Sequence, residues 1–201
     1  SQTFTDFEFI IIDDCSTDGS LEIIKAYDDN RIILVENKVN KGYVFGLNYA
    51  LSIARGTYIA RMDSDDISHK ERLKRQFDFL EKNKDVILCG TNYQIINTDR
   101  RTYVPLNHDD ITYRLLYENA FGHPTIMFRI FYLGEKLNIS YSKVNVPAED
   151  YDLWIKLSKI GTVANLPQVL LFYREHEGQI TKLREIARIR NTNSISWNNF
   201  V

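Results

Sequence analysis

The 201-residue sequence is 44% hydrophobic and sets 25 Lys and Arg against 27 Asp and Glu, for a formal net charge of −2. That is enough apolar material for one sizeable core, and the balanced charge leaves no cationic field to hold a nucleic acid backbone, so no nucleic-acid partner is expected. Two cysteines, Cys15 and Cys89, are too few for a disulfide framework and suit a reducing cytoplasm, and no apolar run approaches the ~20 residues that span a bilayer.

Phe7 to Ile12 is a continuous apolar run ending in Asp13-Asp14, the pattern of a strand buried on both faces. Ser20 to Tyr27 follows as a short helix behind the turn Asp18-Gly19, and Arg31 to Glu36 reads as a second strand. Val44, Leu47, Leu51 and Ala54 fall at helical spacing within Tyr43 to Arg55, with Gly56 placed for a left-handed cap. Thr57 to Met62 is a further buried strand that delivers Asp63-Ser64-Asp65-Asp66 at its carboxyl end. Lys70 to Lys82 reads as an amphipathic helix carrying Leu73, Phe77 and Leu80, and Val86 to Gly90 resumes the sheet. This alternation predicts an α/β fold with a doubly wound, mostly parallel sheet, whose ligands belong at the carboxyl ends of the strands. Beyond residue 91 the periodicity weakens into mixed strands and loops.

Two acidic clusters therefore sit where such a fold places its ligands: Asp13-Asp14 and Asp63-Ser64-Asp65-Asp66. Several carboxylates on one rim repel one another unless a cation or hydrogen-bond donors intervene. Mg²⁺ or Mn²⁺, which take oxygen ligands and bind through one or two carboxylates plus substrate phosphates, would resolve the repulsion. An Asp-Xaa-Asp pair by itself fits turn and helix capping as well.

The run Ile11-Ile12-Asp13-Asp14-Cys15-Ser16-Thr17-Asp18-Gly19-Ser20, followed by Asn40-Lys41-Gly42, Arg55-Gly56-Thr57-Tyr58-Ile59, Asp63-Ser64-Asp65-Asp66, Glu149-Asp150-Tyr151-Asp152-Leu153-Trp154 and Tyr173-Arg174-Glu175-His176, resembles bacterial family-two inverting glycosyltransferases of the GT-A fold in order and spacing. The resemblance implies one domain over residues 1–180, with residues 1–90 binding the nucleotide sugar and residues 91–180 facing the acceptor, and a helical tail over 181–201. It implies metal-dependent transfer from a nucleotide-diphosphate sugar, UDP-linked, to a glycan or lipid-linked saccharide in cell-surface polysaccharide assembly.

By position, Asp14 would accept from the uracil imide, Lys41 would reach a donor phosphate, Asp63 would lie by the ribose and metal, and Asp65 would ligate Mn²⁺ or Mg²⁺. Asp150 would be the catalytic base, with Glu149 in support, since inverting transfer needs a carboxylate to take the acceptor hydroxyl's proton. His176 would complete the metal or phosphate site, and His123 would shape the acceptor side or serve structure alone. Turn capping for Asp14, solvation for Lys41, helix-start stabilisation for Glu149 and Asp150, and a capping role for Asp66 stand as alternatives.

The family opens with a strand, a base-stacking loop and a helix that have no counterpart here. A strand slot between Phe7–Ile12 and Thr57–Met62 is thus expected to be open, or filled by another segment, and the sequence to be part of a longer one. Basic Lys182, Arg184, Arg188 and Arg190, interleaved with Leu183, Ile186 and Ile189, would let the tail lie on the inner face of a membrane or form a solvated helix. A nucleotidyltransferase of similar fold and a catalytically inactive sugar-nucleotide-binding module are the competing classes; no Gly-rich phosphate loop supports the former, and Asp63, Asp65 and Asp150 argue against the latter.

Overall fold

A computed structural model describes residues 1–179 and 184–200. The chain divides into two compact units, residues 5–56 and residues 1–4 with 57–201.

The smaller unit is a parallel pair of strands with two helices. Strand β1 (Phe9–Asp13) pairs with β2 (Ile32–Glu36) in register from Phe9 opposite Ile32 to Asp13 opposite Glu36. Between them runs α1 (Ser20–Lys25), two residues shorter than the sequence suggests, and after them α2 (Tyr43–Ile53). Helix α2 lies close on β1: a Cβ added to Gly46 would stand 3.3 Å from Cγ2 of Ile12, so the small residue sets the approach. The expected left-handed cap at Gly56 is not used. The helix ends at an extended Ala54, and Oε1 of Glu8 takes the freed N–H groups of both Arg55 and Gly56, so a carboxylate supplies what a glycine turn would have. Strand β1 is not buried on both faces as its apolar run implies: Phe9 is exposed and Ile10 to Ile12 are half-buried, because among the described residues β1 has a ladder partner on one edge only.

The larger unit is built on a five-stranded sheet in the order β3-β6-β5-β9-β4, with β3 at Tyr58–Ala60, β4 at Ile67–Ser68, β5 at Val86–Ile95, β6 at Met127–Arg129 and β9 at Thr162–Tyr173. Its long ladder, β5 with β9, is parallel, as β1 with β2 is, whereas the shorter additions β3, β6 and β4 run antiparallel. A small hairpin, β7 (Phe131–Tyr132) with β8 (Glu135–Lys136), follows β6. Among the described residues, strand β3 likewise is paired on one edge only, with β6. Helices α3 (Arg72–Lys82), α4 (His108–Arg114), α5 (Glu149–Ser158) and α6 (Glu185–Phe200) complete the unit. Of the basic tail expected to lie on a membrane, Lys182 and Leu183 fall outside the described residues, and Arg184 leads into α6. No described helix is long and apolar enough to cross a membrane.

The core gathers Leu80 from α3, Val86 and Cys89 from β5, Met127 from β6, and Ala164, Leu166 and Leu170 from β9, while α5 buries Tyr151, Leu153, Trp154, Ile155 and Leu157. Burying a Leu-sized side chain contributes about 2 kcal/mol each. Helix α3 departs from its expected apolar face. Its buried positions are Arg72, Gln76 and Leu80, with Leu73 and Phe77 only partly covered. The two polar groups are tolerated because they are spanned by partners. Arg72 Nε donates to Oε1 of Gln76 at 3.1 Å and Nη2 to the Arg61 carbonyl at 2.5 Å, while Gln76 Nε2 donates to the carbonyls of Cys89 and Thr125. This network ties α3 to the strand end from which the acidic residues leave.

Candidate active site

Within the larger unit, the chain leaves β3 through Arg61 and Met62 and turns at Asp63, with Asp66 N–H returning to the Asp63 carbonyl. The turn brings one oxygen each of Asp63, Asp65 and Asp66 within 4.8 Å of one another. Each carboxylate meets a different donor. Arg61 lays its guanidinium as a fork on Asp63, Nη1 to Oδ2 at 2.6 Å and Nη2 to Oδ1. His176 Nε2 lies 3.0 Å from Oδ2 of Asp65, and the Arg174 N–H donates to Oδ1 of Asp66 at 2.9 Å. Arg174 Nε also holds the Asp65 carbonyl, so the residues just past β9 close over the turn. Oδ2 of Asp66 is buried and has no partner among the described residues. Burial first, then the charges of Asp63 and Asp65, push the Asp66 carboxyl up to about 6.

An all-oxygen cluster with an orphaned buried oxygen fits a hard divalent cation such as Mg²⁺ or Mn²⁺. Asp63, Asp65 and Asp66 would hold it. His176 is not one of the group of three and contacts Asp65 through Nε2.

Asp150 occupies the first turn of α5, where carboxylates face the positive end of the helix dipole. Its Oδ1 accepts from the Tyr151 N–H at 2.7 Å and its Oδ2 from Asn119 Nδ2 at 2.8 Å. Burial nevertheless pushes its carboxyl above the ordinary range, against those two hydrogen bonds and the nearby Arg61 charge. Glu149 is buried beside it, 4% exposed. His123, in a single 3₁₀ turn, has Nε2 3.0 Å from the Tyr141 hydroxyl and its ring edge-on to Trp154 at 5.6 Å. Burial and then Arg61 hold its imidazole well below its usual range. Tyr141 feels the charges of Arg61, Asp150, Glu149 and Asp63 at its hydroxyl. The larger unit therefore collects Asp63, Asp65, His176, Asp150, Glu149 and His123, together with Arg61, Asn119, Tyr141 and Arg174, which the sequence reading did not assign. Arg61 carried a signal, a charge interrupting an apolar strand two residues before Asp63; Asn119 and Tyr141 lie in a stretch without periodicity and carried none.

A family model described as glycosyl transferase family 2 matches residues 1–137. The chain belongs to that family. The match covers the Asp63–Asp66 turn and stops short of Asp150 and His176, but curated relatives extend over both. One is the UDP-Glc:alpha-D-GlcNAc-diphosphoundecaprenol beta-1,3-glucosyltransferase WfaP of Escherichia coli, 37% identical over 196 residues, 95% of this chain and 75% of that protein. Another is an uncharacterized glycosyltransferase of Haemophilus influenzae, 32% identical over 91% of this chain, which spans only 61% of that relative's length. The fold matches Staphylococcus aureus TarS 1-349 in complex with UDP, TM-score 0.69 at 20% identity over 100% of this chain and 60% of the other. It also matches the Pyrobaculum calidifontis mannosyltransferase PcManGT in complex with GDP-Man and Mn²⁺, TM-score 0.62 at 21% identity over 90% of this chain and 51% of the other. The α/β architecture is thus that of GT-A glycosyltransferases.

In the smaller unit, Asp14 lies in the loop that follows β1. Its carboxylate accepts from Asn37 Nδ2 and the N–H groups of Lys41 and Gly42, the last at a left-handed φ of 85° that suits glycine. Three of about four acceptor directions are thereby used. The Lys41 ammonium lies 4.5 Å over the Phe45 ring.

Proposed function

We propose that the chain carries out metal-dependent, inverting transfer of a sugar from a UDP-linked donor to a hydroxyl of a glycan or lipid-linked saccharide, in the assembly of a surface polysaccharide. The observation that carries it is the cluster of Asp63, Asp65 and Asp66 with the partnerless buried oxygen of Asp66. Relatives named for glucosyl transfer from UDP-Glc to a diphosphoundecaprenol-linked acceptor support the donor and acceptor classes. A cation bound at the cluster supplies positive charge against the diphosphate as it departs. Asp65 would be the direct ligand with Asp63 and Asp66 beside it, and His176 would fix Asp65. Asp150, with its carboxyl raised by burial and anchored by Asn119, takes the proton of the attacking hydroxyl. Glu149 supports the niche, and His123 packs it. For the smaller unit, taken by itself, Asp14 and Lys41 are proposed donor contacts, to a nucleobase N–H and a phosphate. The basic stretch Lys182 to Arg190 is the proposed peripheral contact with a membrane.

Asp65→Asn provides the test, because a neutral amide is a poor substitute for an anionic ligand of a hard cation. Titration calorimetry with UDP and Mn²⁺ is expected to show binding in the parent and little in the variant. Equal affinity in both would remove the metal assignment.

A further inference from the structure

Three guanidinium groups adjoin the acidic turn, and they do different things: Arg174 holds the Asp65 carbonyl through Nε. Arg72 is 1% exposed and is held entirely by Gln76 and the Arg61 carbonyl. Arg61 has its backbone pinned by that bond, but its side chain is 15% exposed and its fork engages both oxygens of Asp63. Its charge acts on Asp66, Asp150, His123 and Tyr141 alike. Arg61 thus has its fork on the acidic cluster, and its charge also reaches the Asp150 niche.

A bidentate guanidinium occupies the oxygens that a metal would use on Asp63, and two cations on one small rim repel. Arginine cannot leave by losing its proton, so relief requires the side chain to swing, which a partly exposed stem permits. A diphosphate arriving with the cation brings negative charge in a geometry that the same planar fork matches. We propose that Arg61 is the resident counter-cation of the rim, yielding Asp63 to the metal when the donor binds and moving its fork to the donor's diphosphate. The proposal rests on the metal and nucleotide-sugar reading above and adds a residue and an exchange of partners to it. Removing Arg61 then has opposite effects on two ligands: the metal alone loses a competitor, and the nucleotide loses a contact. A residue that merely holds the rim in shape would weaken both.

Calorimetry on the whole natural polypeptide, first with Mn²⁺ alone and then with UDP at saturating Mn²⁺, separates these. Arg61→Gln is expected to bind Mn²⁺ alone about tenfold more tightly, the scale on which an adjacent charge shifts a neighbouring carboxylate's ion affinity. It is expected to bind UDP about tenfold more weakly, the loss of a charge-assisted hydrogen bond. Arg61→Lys, which keeps the charge without the fork, should hold Mn²⁺ affinity near the parent's and recover part of the UDP affinity. Weakening of both ligands by Arg61→Gln, or no change in either, overturns the proposal while leaving the donor reading intact. A parent that binds neither Mn²⁺ nor UDP overturns both. Should Arg61→Gln fail to melt cooperatively, Arg61→Lys decides: weaker Mn²⁺ binding than the parent, or UDP binding equal to the parent, overturns the exchange.

Discussion

The acidic turn and the Asp150 niche both hold a carboxylate above its ordinary range, and they reach it by different arrangements. At the turn, three carboxylates crowd together, with a guanidinium, a backbone N–H and an imidazole each engaging a different one, and the buried oxygen of Asp66 remains without a donor. In the niche, Asp150 has a donor for each oxygen, and burial is the chief cause of its rise. A crowded, under-supplied cluster gains most from a cation. A supplied carboxylate with a raised pKa is suited to taking up and giving back a proton. The two sites thus differ in what they lack, and four variants test whether that difference is real.

The largest expected effect is at Asp150. Asp150→Asn should keep UDP and Mn²⁺ affinity, because the niche is not part of the cluster, yet lose transfer by about 10²–10⁴-fold, the usual contribution of a positioned general base. Product formation with the natural acceptor, set beside calorimetry, separates the two. Glu149→Gln should lose less. Transfer near the parental rate in Asp150→Asn would erase the functional side of the comparison, and loss confined to Glu149→Gln would move the base by one residue.

Asp66 comes next, and here the comparison becomes a matter of stability. Its folded pKa of about 6 stands above the ordinary 3.8 of an unfolded chain. The proton-linked stability is therefore fully present below about pH 4 and is lost as pH rises through about 6. At neutral pH the ionised, 7% exposed carboxylate costs up to about 3 kcal/mol at ~1.4 kcal/mol per pH unit. Metal-free Asp66→Asn should consequently melt higher than the parent near pH 7, with the gap closing toward pH 4, while losing metal-dependent UDP binding. Differential scanning calorimetry in chelator across that range checks it. A gap that is constant with pH would mean that the turn carries no unrelieved charge.

Both sites were legible in the sequence as acids at element boundaries, Asp63-Ser64-Asp65-Asp66 after a strand and Glu149-Asp150 before a helix. The parallel ladder of β5 with β9 that frames them was not. Thr91, Asn92 and Asn165 are polar and buried within it, and Pro167-Gln168 interrupts β9, so neither strand shows clean apolar periodicity. The side-chain amide N–H groups of Asn92 and Asn165 find acceptors distant in sequence, Asn92 on the Pro167 carbonyl and Asn165 on those of Pro105 and Ala120, and local pattern cannot register such bonds. Arg72 and Gln76 misled in the same way, since polar residues on a helix read as its solvent face. The left-handed cap expected of Gly56 failed because Glu8, 47 residues away from Arg55, supplies the acceptor.

Asn119 offers the finest test of the contrast. Its amide donates to Oδ2 of Asp150 at 2.8 Å and stabilises the ionised form. Its own carbonyl oxygen accepts from the Phe121 N–H at 3.1 Å, which holds the loop that carries it. Removing a donor from a carboxylate raises the carboxylate's pKa, because the charged state loses more than the neutral one. In Asn119→Ala the acid limb of the transfer rate, which follows ionisation of the base, should therefore move to higher pH by about one unit, the equivalent of one hydrogen bond to a charged group. Above that limb the rate should recover most of its parental value, while UDP and Mn²⁺ affinity stay unchanged throughout. A merely structural loss would lower the rate by the same factor at every pH. An acid limb that does not move would show that Asp150 draws nothing from Asn119, and one that moves to lower pH would reverse the assignment of Asn119 as donor to the ionised carboxylate.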